Sequence, residues 1–130
     1  MYPITKMKIL NNRFTLIGYS RSAEATGLFI PELDLMLDAG LVVTTTKFRR
    51  LCVTHCHSDH SFQIPSMYSP SSRFPLQIYV PQISVPFFER YLQSAQLLND
   101  HGAEKALNTC EERFTLHGVS PEQIIDLDQS

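Results

Sequence analysis

The run Thr54-His55-Cys56-His57-Ser58-Asp59-His60 gathers three imidazoles and a carboxylate directly after the apolar stretch Leu51-Cys52-Val53. Imidazole nitrogens and carboxylate oxygens are the donors zinc takes in catalytic sites, where it brings the pKa of a bound water down to about 7. Side chains alternate along an extended chain, so His55 and His57 leave a strand end on the same side and can share one cation. The chain must then turn, which carries Asp59 and His60 toward a second position near the first. The spacing suits a two-metal centre. The competing reading is three ordinary histidines in a surface loop, and the carboxylate inside the cluster, with strand-then-loop flanks, favours the metal.

Cys56 lies between the paired histidines, and alternation turns it to the opposite face, as a buried small residue rather than a ligand. Upstream, Leu35-Met36-Leu37-Asp38-Ala39-Gly40 is an apolar strand ending in Asp-x-Gly, in which the competing reading of Asp38 is a turn former before a glycine.

These residues together resemble the metallo-β-lactamase superfamily, whose signature is His-x-His-x-Asp-His. The resemblance implies an α/β fold, the N-terminal half of a four-layer αββα sandwich. It implies that His55 and His57 bind a first zinc ion and Asp59 and His60 a second, with Asp59 also accepting a proton in the reaction. Asp38 then stands behind the ligands and orients them, since outer carboxylates fix imidazole tautomer and ring angle.

The signature is shared by thioester hydrolases, phosphodiesterases and nucleases, so other segments must choose among them. Ile17-Gly18-Tyr19-Ser20, Phe29-Ile30-Pro31, Ile64-Pro65-Ser66-Met67-Tyr68 and Ile78-Tyr79-Val80-Pro81 are similar to segments of short, plant-type ribonuclease Z enzymes. Leu97-Leu98-Asn99 and Leu116-His117-Gly118-Val119-Ser120-Pro121 continue the likeness. It implies a zinc-dependent endonuclease acting on tRNA precursors, with RNA as partner. A glyoxalase II-like thioesterase and a truncated, non-catalytic half-domain are the alternatives. One departure stands out: after Asp-His the family has an apolar residue and two glycines, whereas this chain has Ser61-Phe62-Gln63. Glycine permits positive φ and close backbone approach.

At 130 residues, 43% of them hydrophobic and 10% aromatic, the chain makes one domain able to bury a core. A net charge of −2 gives no global attraction to nucleic acid. Lys47, Arg49 and Arg50 precede the metal strand and read as a solvated charged turn. Three cysteines without C-x-x-C spacing (Cys52, Cys56, Cys110) indicate neither a disulfide framework nor a zinc ribbon. The N-terminus lacks a signal-peptide core and no run is long enough to span a membrane, which leads to the expectation of a soluble, intracellular protein.

The elements that must position the cluster are read from pattern. Segments 7–19, 28–30, 33–37, 51–53 and 76–80 read as strands. A helix follows Ser84 as N-cap, with Phe88, Tyr91, Leu92, Ala95 and Leu98 on one face. Residues 103–108 read as a further helical piece, 114–116 as a strand, 66–72 as a loop, and 124–128 as an edge strand.

The family completes its site with a third histidine, a bridging aspartate and a last histidine, none of which has a candidate motif here. His101 and His117 read as structural or surface histidines, and Asp126 and Asp128 as part of the edge strand. The whole of 1–130 is therefore read as the N-terminal half of such a domain, apparently truncated. Its complement would be a second copy or another chain, and the uncovered apolar sheet face would drive association.

Overall fold

Residues 10–13 turn the chain back on itself, with Leu10, Asn11 and Asn12 at φ 51, 55 and 62°. Asparagine tolerates this left-handed region better than most residues. The stretch 7–19 is accordingly two strands, β1 (Thr5–Ile9) and β2 (Phe14–Arg21), paired antiparallel. Strands β3 (Ala25–Ile30) and β4 (Leu35–Leu37) continue the antiparallel meander. The computed structural model describes residues 2–68, 74–99 and 113–127. The expected helical piece 103–108, His101, Cys110, Asp128 and the 69–72 part of the loop lie outside the described residues.

From β4 onward the pairing becomes parallel. β5 (Arg50–Cys52), β6 (Leu76–Pro81) and β7 (Phe114–Val119) add in chain order, giving one seven-stranded mixed sheet. Helix α1 (Ser58–Ser61) lies between β5 and β6, and α2 (Val85–Asn99) follows β6. This is a mixed α/β fold, as the sequence pattern indicates. Parallel crossovers are right-handed almost without exception, so strands added steadily in one direction send every crossover to the same side of the sheet.

Burial follows that geometry. Phe29, Met36, Leu51, Ile78 and Val80 project to the crossover side and meet Ile64, Phe88 and Leu92 in one core. The register places Leu16, Leu28, Leu37 and Cys52 on the opposite face, where they are only half-buried. No helix packs on that face among the described residues. Tyr79 stacks there on His117, centroids 4.7 Å apart, and His117 Nε2 lies 2.7 Å from Gln77 Oε1.

Several expectations need correction. Arg50 is a buried β5 residue, 7% exposed, rather than part of a solvated turn, while Lys47 and Arg49 are exposed. Leu98 leaves the apolar face of α2 and is 77% exposed, because the helix buries Phe88, Leu92 and Gln96 instead. Residues 121–127 form no strand. No helix among the described residues is long and apolar enough to cross a membrane.

Candidate metal centre

Because β4 and β5 are parallel neighbours, the segments that leave them emerge at the same edge of the sheet, the usual location of sites in parallel sheets. Asp38 is the first residue after β4. Its N–H donates to the Cys52 carbonyl at 2.8 Å, and φ 60° then swings its carboxylate across to the chain leaving β5. There the Thr54 N–H donates to Asp38 Oδ1 at 2.7 Å, and Thr54 Oγ1 lies 3.0 and 3.1 Å from the two carboxylate oxygens. Thr54 has one hydroxyl proton. When that proton goes to Asp38, the hydroxyl is left to accept from His55 Nδ1, 2.9 Å away. That arrangement puts the His55 proton on Nδ1 and leaves Nε2 as a free donor atom for a cation.

His57 ends the extended run and stands at the head of α1, where its carbonyl accepts the His60 N–H at 2.9 Å and Ser61 Oγ at 3.0 Å. Two further bonds fasten this turn to the strand end beside it. The Ala39 N–H donates to the His60 carbonyl at 2.7 Å, and the Gln63 N–H donates to the Ala39 carbonyl at 2.8 Å. Gly40 permits the approach: a Cβ there would stand 1.7 Å from the Asp59 carbonyl oxygen.

The result is a compact cluster. The His55 and His57 ring centroids are 4.7 Å apart, and those of His55 and His60 are 4.1 Å apart. One ligand atom each from His55, His57 and Asp59 lies within 4.8 Å of the others. His60 stands beside this trio between two carboxylates, its Nδ1 2.8 Å from Asp38 Oδ2 and its Nε2 3.2 Å from Asp59 Oδ2. With the Nδ1 proton donated to Asp38, Nε2 and the Asp59 oxygen are two electron-rich atoms that need a proton or a cation between them. The donor types are those zinc takes, and the His55, His57 and Asp59 trio could hold a metal ion.

Three outcomes differ from expectation. Cys56 is exposed, not buried, since β5 ends at Cys52 and the chain has left the sheet before it reaches position 56. The glycine-free loop needs no positive φ: Phe62 sits at φ −58° and Gln63 at φ −90°, in ordinary right-handed conformations. Thr54, given no role from sequence, joins Asp38 to His55, and only its position immediately before His-x-His marked it. Burial raises the Cys52 thiol pKa above its ordinary value, and the Asp38 carboxylate adds to the rise. Beside Thr54, on the half-buried sheet face, a cavity of about 780 Å³ opens between Cys52, Tyr79, Pro81, Val119 and Ile125.

No protein-family model matches the chain, and no curated protein sequence matches it. Among solved structures it is similar to human tRNase Z, short form, at 18% identity and a TM-score of 0.41. That likeness covers 83% of this chain and 39% of the human protein, so the chain spans well under half of that protein's length.

Proposed function

We propose that this chain carries the first half of a zinc-dependent hydrolase site, on the N-terminal half of a metallo-β-lactamase-like domain, and that the reaction is ribonuclease Z-like cleavage of a phosphodiester in RNA. The observation that carries the reading is the row Asp38, His60, Asp59, set against His55 and His57 at one sheet edge. The sequence segments similar to ribonuclease Z direct it to a phosphodiester.

In this reading His55 and His57 would hold one zinc ion, and Asp59 with His60 would hold a second beside it. When bound, zinc polarises a phosphoryl oxygen and acidifies water. The protein's own residues do the rest. Asp38 holds the His60 proton on Nδ1, so that Nε2 is the atom presented to the cation. Thr54 does the same for His55. Asp59 has two oxygens, one facing His60 and one free to take a proton from attacking water.

Three donors and a flanking histidine bind metal more weakly than a complete set, and affinity grows as ligands are added. We therefore assign the remaining ligands to a further segment, a second copy or another chain, packed on the half-buried face that carries Leu16, Leu28 and Leu37. The test is zinc calorimetry followed by assays on a phosphodiester and a thioester, with the chain alone and with the C-terminal part of a ribonuclease Z-like protein added. Zinc binding lost in His57→Ala, trace turnover alone and phosphodiester cleavage on complementation are expected. Cleavage of the thioester and not the phosphodiester would overturn the substrate assignment. Tight binding of two zinc ions with ordinary turnover by the chain alone would overturn the half-site.

A further inference from the structure

The 56–58 loop has a second side. Beside the imidazoles lies a cavity of about 390 Å³, lined by Cys56, Ser58, Ser61 and Phe62 from α1 and its flanks and by Phe87, Phe88 and Tyr91 from the first turns of α2. Phe62 and Phe87 are 62% and 58% exposed. The core does not need them, since α2 already buries Phe88 and Leu92. Two exposed phenyl rings lining one cavity beside a metal cluster form a surface for a planar, π-faced partner.

The backbone of Phe62 and the ring of Phe87 each have a contact on this side. The Tyr91 hydroxyl donates to the Phe62 carbonyl at 2.7 Å and ties the loop after α1 to α2. The Arg90 guanidinium lies 5.2 Å from the Phe87 ring centroid, and its Nε–H donates to the Pro86 carbonyl at 3.3 Å. At roughly 100° per helical residue, Phe87, Arg90 and Tyr91 share about 100° of the circumference of α2, whereas Glu89 falls about 160° from Phe87. The Arg90 charge thus flanks the Phe87 ring, and Glu89 lies farther round the helix.

The geometry points to a nucleobase subsite: a base of a single-stranded ribonucleotide stacks on Phe62 and Phe87, its phosphate meets Arg90, and the strand passes His57 toward the metal cluster. The substrate class rests on the phosphodiesterase reading. With a net charge of −2, general electrostatic attraction to RNA is weak, so stacking supplies much of the affinity.

The experiment is fluorescence polarisation of a labelled single-stranded hexaribonucleotide and of an abasic strand of equal length, with the 130-residue chain in chelator so that no hydrolysis enters. The base-bearing strand binds about tenfold more tightly, and Phe62→Ala and Phe87→Ala each lose about that factor on it alone. Phe87→Trp restores it. Arg90→Gln weakens both strands and lowers the salt slope by about one. Both phenylalanines are exposed, so unchanged circular dichroism is expected in every variant. Equal binding of the two strands, or Phe87→Ala without effect on the base-bearing strand, would overturn the subsite. Loss of self-association in Phe87→Ala with RNA binding intact would also overturn it, as the mark of a protein contact. Base preference without hydrolysis on complementation sinks the phosphodiesterase and keeps the subsite, and hydrolysis without base preference does the reverse.

Discussion

Asp38 Oδ2 and His60 Nδ1 meet at 2.8 Å across 22 positions of sequence, and the same carboxylate also accepts the Thr54 N–H. One buried acid thus connects the end of β4, the end of β5 and the head of α1. Asp38→Asn keeps the left-handed turn, which asparagine tolerates, but replaces one acceptor oxygen by a donor. Zinc affinity should fall about 10- to 100-fold, as for loss of other outer-shell carboxylates. Calorimetry on the variant checks this, and wild-type affinity would remove Asp38 from the site.

Gly40 and Asp59 provide a steric test. Gly40→Ala sets a methyl group 1.7 Å from the Asp59 carbonyl oxygen, a backbone atom that cannot rotate aside. We expect a loss of about 1 to 3 kcal/mol or more in urea unfolding, typical of overpacking. Weaker zinc binding should accompany it because α1 must move. A variant as stable as the parent would show that α1 is not docked on residues 39–40.

On α2 the two leucines separate burial from helical spacing. Leu92→Ala empties a fully buried position and should cost about 2 to 5 kcal/mol. Leu98→Ala, at a position 77% exposed, should stay within about 0.5 kcal/mol. Chemical unfolding of both variants measures the difference, and equal effects would contradict the packing of the helix.

The Cys52 thiol gives a pH dependence with a defined sign. Its folded pKa is raised, by burial first and the Asp38 charge second, so above the ordinary value of 9.0 the unfolded chain releases this proton before the native state does. The unfolded state then binds fewer protons, and stability falls as pH rises. The contribution is fully present below 9.0 and is lost as pH climbs toward the raised folded value. Unfolding curves across this alkaline range should slope less steeply in Cys52→Ala. An unchanged slope would show that Cys52 titrates alike in both states.

The residue types of the cluster and its approximate geometry were legible in the sequence because they depend on local rules. His55 and His57, two positions apart just beyond β5, bring their rings to 4.7 Å, and Asp59 and His60 follow within one turn. The core face of the sheet was likewise readable from alternation at Leu76, Ile78 and Val80. Tertiary structure decided what local pattern cannot carry. Thr54 gains its role only because β4 and β5 are parallel neighbours, a pairing between segments far apart in sequence. Cys56 is exposed because the chain has left the sheet after β5, and Leu98 is exposed because the buried face of α2 runs through Phe88, Leu92 and Gln96. Arg50 is buried because β5 lies inside the sheet, with β4 and β6 on either side. Periodicity shows which residues share a face, but whether a face is covered depends on the elements that the whole chain brings against it.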